Sequence, residues 1–208
     1  MDRISICEAL AKRNEIDPFL KWMITDDEKW VAYDNIIRKR TWSKCGWVGQ
    51  MVAKPGLMAR KVLLCNCWDW KGIISYELLP YGQTLNSDLY CQQLDWLKLA
   101  IDEKRPELAD RRGVVFYQDN ARPHTSIMTR QKLRKLGWEV LVHPPHSLDL
   151  APSDYHLFLA LQNFLSDKKL GSREYYENWL LEIFANKSQD FYDRGIMKIP
   201  SKWQLIIQ

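Results

Sequence analysis

No apolar run in this 208-residue sequence approaches the roughly 18–20 residues needed to cross a bilayer, so a membrane-spanning helix is not expected. The N-terminus lacks the basic-then-apolar order of a secretion signal. With an ordinary globular balance, 46% hydrophobic and 27% charged, a soluble intracellular protein is expected. A disulfide framework is also missing, because the five cysteines (Cys7, Cys45, Cys65, Cys67, Cys91) are odd in number and scattered. Cys65 and Cys67 would share one face of a strand. No second pair lies nearby in sequence to complete a zinc site, so the expected role of these two is as packed thiols. Internal repeats and low-complexity segments are absent. The most informative absence is of negative charge. No acidic residue lies between Asp34 and Asp69, while Arg38, Lys39, Arg40, Lys44, Lys54, Arg60 and Lys61 all fall there. Elsewhere acidic residues outnumber basic ones. A concentrated positive segment suits a polyanion, and a solvated basic loop is the plain alternative.

The pattern predicts a helical lead-in over residues 1–20, with Ile4, Leu10, Ile16 and Leu20 as its apolar members. A strand over 22–33 follows, rich in aromatic and β-branched residues. The basic segment, about 34–60, is broken by Gly46, Gly49, Pro55 and Gly56, and is expected to form a loop or small hairpin inserted after that strand. Trp42 and Trp47 within it suit anchoring to the core or stacking on bases. Strands over 62–68 and 73–79 form a hairpin. Tyr90, Leu94, Leu97 and Ile101 define the buried face of a helix capped by Asn86 or Ser87. A strand over 114–117, a helix over 125–136 closed by Gly137, a strand over 138–142 and a helix from Ser153 come next. In that last helix Leu157, Phe158, Leu161, Phe164 and Leu165 form the stripe. Two further helices, begun by Ser172 and Ser201, fill about 172–208. A three-stranded meander followed by two strand–helix units predicts an α/β domain with a mixed sheet and helices on its faces.

Asp27 lies on the first strand, Asp119 just past the fourth, and Asp154 at the start of a helix, four residues before Phe158 and so leaning towards the sheet. Carboxylates from three separated segments could meet at one sheet edge and hold hard divalent cations. Glu28 and Lys29 beside the first suit a surface ion pair. His124 suits a cap, a packing role or an approach to phosphate. His156 should face away from Asp154, and His143 and His146 show no ligand spacing.

Three phrases make the chain recognisable: Asp27-Glu28-Lys29-Trp30, Gln118-Asp119-Asn120-Ala121-Arg122-Pro123-His124, and Asp149-Leu150-Ala151-Pro152-Ser153-Asp154-Tyr155-His156. From about Ile16 onwards the chain resembles the catalytic domain of the mariner branch of the Tc1/mariner DNA transposases. The 34 residues between Asp119 and Asp154 are that branch's spacing. The resemblance implies an RNase H-like fold with a five-stranded mixed sheet over residues 21–208. It implies Asp27, Asp119 and Asp154 as catalytic residues and ligands of two Mg²⁺ or Mn²⁺ ions. It also implies nicking at transposon ends and joining to double-stranded target DNA at TA, by a nuclear homodimer needing no small-molecule cofactor and no membrane. The basic excursion matches a loop that in this family contacts DNA and the partner subunit. Arg38, Lys39, Arg40, Lys44, Lys54, Arg60 and Lys61 are therefore expected at DNA, with Arg122 and His124.

Departures accompany the likeness. Asp26 stands where the family commonly has Gly, and Leu148 where it has Pro, in the turn that aims Asp154. Full-length relatives carry paired helix-turn-helix modules before this domain, and residues 1–20 are too short for them. A fragment, a truncated copy or part of a fusion is expected. Such a domain also occurs fused to a SET methyltransferase, but no SET region is present and no methyltransferase activity is expected. An impaired or domesticated relic acting as a DNA-binding or dimerisation module is the alternative. An RNase H-like nuclease of other specificity ranks below both.

Overall fold

The computed structural model describes residues 2–32, 61–110, 113–165 and 173–208. Its centre is strand β1 (Met23–Ala32), which has a partner on each side. On one side β2 (Lys61–Asp69) pairs antiparallel with β1, and β3 (Gly72–Leu78) antiparallel with β2. On the other side β4 (Val115–Tyr117) runs parallel to β1, and β5 (Glu139–Val140) parallel to β4. The order β3-β2-β1-β4-β5 is the expected mixed five-stranded sheet. The β2–β3 turn needs Gly72, whose φ of 146° a side chain would strain. Asp69 closes the turn by accepting the Lys71 and Gly72 amides at 2.9 and 3.0 Å. Its other oxygen takes Arg105 Nε at 2.6 Å in a largely buried ion pair.

Pleating divides β1 between two cores. Ile24 joins the core under α2 (Ser87–Lys104) and α5 (Ile127–Leu136), where Tyr90, Leu94, Leu97 and Ile101 are buried at their helical spacing. The Asn86 side chain caps α2 by accepting Leu89 N at 2.8 Å, and the short α3 (Pro106–Asp110) follows it. Met23 and Val31 join the opposite core. There α1 (Arg3–Ile16) packs with a π-helical turn, Ser153–Phe158, that continues as α6 (Leu159–Leu165), and with α7 (Arg173–Asn186), α8 (Gln189–Met197) and α9 (Ile199–Ile207). In α8, Gly195 lies so close to its neighbours that a Cβ would sit 2.5 Å from His156 and 2.8 Å from Trp68. Among the described residues no helix is long and apolar enough to cross a membrane.

Several boundaries differ from expectation. In α1 the buried residues are Ile6, Cys7, Leu10 and Ala11, whereas Ile4 and Ile16 are exposed. The helix over 125–136 is split into α4 (Arg122–Thr125) and α5, because Ser126 is extended and its hydroxyl caps α5 at Thr129 N. The strand over 138–142 pairs only at Glu139–Val140. Phe164 leaves the stripe and is exposed, beneath the Lys187 ammonium. Three C-terminal helices replace two. Pro200 sits inside the first turn of α9, where its missing N–H breaks no helical bond, so it does not end a preceding loop.

Candidate active site

The parallel pairing of β1 with β4 places the first two carboxylates level with one another. Thr25 is opposite Tyr117, and two residues further along each segment stand Asp27 and Asp119. Asp154 arrives from the other core on the π-helical turn, a wide turn of the kind that often marks functional sites. Packing fixes that turn on both sides of Asp154. Trp68 Nε1 donates to Ser153 Oγ at 3.0 Å, Tyr155 donates to the Gly195 carbonyl at 2.7 Å, and Leu157 and Phe158 are buried.

The three carboxylates feel one another's charge. Burial, then Asp154, Glu28 and Asp119, push the Asp27 carboxyl well above its ordinary range, against a 2.8 Å bond from the Glu28 amide. Asp154 is raised by burial, with Lys29 opposing and Asp119 adding. Asp119 behaves differently. Burial acts against its charge, but His124 and the Ala121 amide outweigh it and hold the carboxyl below its usual value. Its Oδ1 accepts from Ala121 N at 2.8 Å and lies 2.6 Å from His124 Nδ1. His124 Nε2 lies 3.1 Å from Glu28 Oε1. Burial disfavours a charge on His124, but these two carboxylates prevail and raise its pKa well above the ordinary value.

Asn66 stands directly opposite Asp27 in the β1–β2 ladder and is fully buried. Neither its amide oxygen nor its amide nitrogen has a hydrogen-bond partner among the described residues. An orphaned amide is costly unless something else completes it. Beside a repelling set of oxygen donors it is well placed for a hydrated cation, and an oxygen-only set of this kind suits Mg²⁺ or Mn²⁺. A cleft of about 430 Å³ opens beside Asp119, with Arg130 and Arg134 in its wall.

The other expected site residues fare unevenly. Glu28 and Lys29 are no surface pair, since neighbours on a strand face opposite ways. Glu28 meets His124, whereas the Lys29 ammonium lies 5.1 Å above the Phe158 ring and acts on Asp154. His124 is 1% exposed, with both ring nitrogens against carboxylates, so it presents no face to a phosphate. Arg122 and Lys61 are exposed. Arg38, Lys39, Arg40, Lys44, Lys54 and Arg60, with Trp42 and Trp47, lie outside the described residues. His156 faces away from the site, as expected, stacked against Trp68 with Nε2 2.8 Å from the Phe191 carbonyl. The sequence reading missed Asn66, although a polar residue inside an apolar strand was its signal. Tyr90 was placed only as a core residue, yet its hydroxyl lies 2.6 Å from both Asp26 Oδ2 and Gln118 Oε1.

Comparison with known proteins agrees with this geometry. Residues 32–111 match the family described as Transposase (partial DDE domain). The mariner Mos1 transposase of Drosophila mauritiana is 42% identical over 203 residues, covering 97% of this chain and 59% of that protein. The chain thus spans about three-fifths of that relative's length. The crystal structure of the Mos1 paired-end complex with Mn superposes with a TM-score of 0.94 at 42% identity, covering 99% of this chain and 60% of that one. The crystal structure of the Mos1 catalytic domain alone gives a TM-score of 0.85 at 39% identity, covering 99% of this chain and 90% of that one. The fold is therefore RNase H-like, and the chain belongs to the mariner transposases over the part that forms their catalytic domain.

Proposed function

We propose that this chain is a divalent-metal-dependent DNA nuclease and strand transferase. It would cut double-stranded DNA at transposon ends and join the freed 3′-hydroxyl to a TA target, working in the nucleus as a homodimer. The observation that carries the reading is the convergence of Asp27, Asp119 and Asp154. They come from three separated segments; after burial, the charges of Asp154 and Asp119 help raise the Asp27 carboxyl, and that of Asp119 helps raise Asp154. Solved complexes of the related Mos1 transposase with Mn, and a strand transfer complex of that protein, support it.

Asp27, Asp119 and Asp154 would hold two Mg²⁺ or Mn²⁺ ions. Bound there, such ions activate an attacking oxygen and stabilise a leaving oxygen in phosphoryl transfer. The protein's part is positioning. His124 and the Ala121 amide both hold Asp119 Oδ1, which fixes the plane of that carboxylate. Lys29 biases Asp154 towards its ionised form. The Asn66 amide is free to serve a hydrogen-bonding ligand beside Asp27. Exposed Arg122 and Lys61 would contact DNA phosphates, together with the basic residues from Arg38 to Arg60.

Nicking of supercoiled plasmid by the purified chain tests this, with Mg²⁺, Mn²⁺ or EDTA, beside Asp119→Ala and Asp154→Ala. Metal-dependent nicking lost in both variants is expected. Nicking that survives both substitutions would refute the site. A salt-sensitive gel shift without nicking would leave a DNA-binding relic.

A further inference from the structure

The other face of β1 carries a second constellation, of which the nuclease reading uses only His124. In the ladder Asp26 is opposite Cys67 and Glu28 is opposite Cys65, so two carboxylates and two thiols share the face that looks towards α2. His124 reaches the same place from α4. Asp26, Glu28 and His124 each offer one ligand atom, and these atoms lie within 4.8 Å of one another. The thiol of Cys67 donates to Asp26 Oδ1 at 2.9 Å. A cleft of about 90 Å³, lined by Asp26, Cys65, Cys67 and Tyr90, leads to this cluster between α2 and the sheet.

The orientation of His124 is the decisive feature. Metal-bound imidazoles nearly always donate their second ring N–H to a carboxylate, a backbone carbonyl or water, which fixes the tautomer and the ring plane. Here Nδ1 is already held by Asp119 Oδ1 at 2.6 Å, and Nε2 is turned to the carboxylate pair. A protonated imidazole alone would account for Asp119 and Glu28. It leaves Asp26, 5% exposed, with a tyrosine hydroxyl shared with Gln118 and a weak thiol donor. One hydroxyl proton cannot serve both acceptors at once.

We propose that Asp26, Glu28 and His124 form a binding site for a borderline-soft divalent ion of the Zn²⁺ type, distinct from the oxygen-only set around Asp27 and Asp154. A nitrogen ligand with a thiol alongside favours such an ion over Mg²⁺, which prefers oxygen and keeps its waters. An ion on His124 Nε2 leaves Nδ1–H as donor to Asp119. Occupancy of the second site is thereby linked to a carboxylate of the first through one imidazole ring.

The test is calorimetric titration of the full chain with ZnCl₂, after EDTA dialysis and in saturating Mg²⁺. One Zn²⁺ per chain, bound at roughly micromolar affinity or tighter, is expected. Asp26→Asn and Glu28→Gln should each weaken it by at least about tenfold, and Asp154→Ala should leave it within about twofold. Circular dichroism checks that each variant is folded. A measurement that needs no variant at the site is the visible spectrum of Co²⁺ added to the wild-type chain. Intense tetrahedral bands, kept in Asp154→Ala, are expected. Failure of the wild-type chain to take up stoichiometric Zn²⁺ overturns the proposal, as does Zn²⁺ binding that survives Asp26→Asn but is lost in Asp154→Ala. A weak octahedral Co²⁺ spectrum would also overturn it. These readouts involve no DNA, so they stand or fall separately from the nuclease reading.

Discussion

The two faces of β1 place carboxylates one residue apart in opposite surroundings. Asp27 faces a half-open gathering of like charges, where Asp154 is about half-buried and the Asp119 side chain is 37% exposed. Asp26 faces a closed nest of donors, Tyr90 and Cys67, with His124 nearby. Both carboxyls are raised, first of all by burial, but the next contributions differ. Around Asp27 the neighbouring acids push the pKa up further. Around Asp26, Glu28 pushes up while the donors and His124 pull down. On the first face the repulsion among the acids is left uncancelled, whereas on the second the donors and His124 offset part of it.

Removing charge from the first face gives the largest expected effect. Asp27→Asn should lower metal-dependent nicking by at least about 10³-fold. In EDTA at neutral pH the same variant should be more stable than wild type, because burial and the neighbouring acids disfavour the Asp27 charge. Urea unfolding checks the second half, and a destabilised Asp27→Asn variant would show that Asp27 is held by favourable contacts instead. His124→Asn comes next. It joins the two faces, and leaving Asp119 Oδ1 to the Ala121 amide alone should cost about 10–100-fold in nicking at fixed Mg²⁺, with a raised metal requirement. Equal activity at every Mg²⁺ concentration would detach His124 from the site. Gly195→Ala perturbs only the packing behind the Asp154 turn. A Cβ there would collide with both His156 and Trp68, so a loss of about 1–3 kcal/mol is expected in urea unfolding. Unchanged stability would mean that α8 shifts freely.

Much of this arrangement was legible in the sequence because it depends on period and punctuation. The two-residue period of a strand was enough to put Asp26 and Asp27 on opposite faces, and Gly72, Asn86 and Gly137 mark a turn and two helix ends where the structure has them. What stayed hidden depends on register between segments far apart in the chain. Only the pairing of Asp27 with Asn66, and of Asp26 with Cys67, turns a stray polar residue and a lone thiol into neighbours of carboxylates. Tyr90 shows the same limit. Helical spacing correctly buries its ring, but says nothing of a hydroxyl that reaches Asp26 across 64 residues of chain. The last helix starts before Ser201 for a local reason: proline is as acceptable in a first helical turn as in the loop before it.

The remaining effect belongs to the closed face, and it should appear as a pH dependence in metal-free protein. The Asp26 carboxyl is pushed up to about 6, first by burial and then by Glu28, while His124, Cys67 and Tyr90 pull it down. In an unfolded chain the same group titrates near 3.9. Between those values the folded protein keeps a proton that the unfolded chain has released. The stability this provides is therefore fully present below about pH 4 and is lost as the pH rises through about 6. Asp26→Asn carries no such proton. Measured by urea unfolding in EDTA, the difference between wild type and Asp26→Asn should shift by about 2–3 kcal/mol in favour of the variant from pH 4 to pH 7. A flat difference across that range would mean that Asp26 is already ionised at the lower pH. Tyr90, Cys67 and His124 would then stabilise its anion as fully as water does, and the contrast between the two faces of β1 would reduce to the number of acids on each.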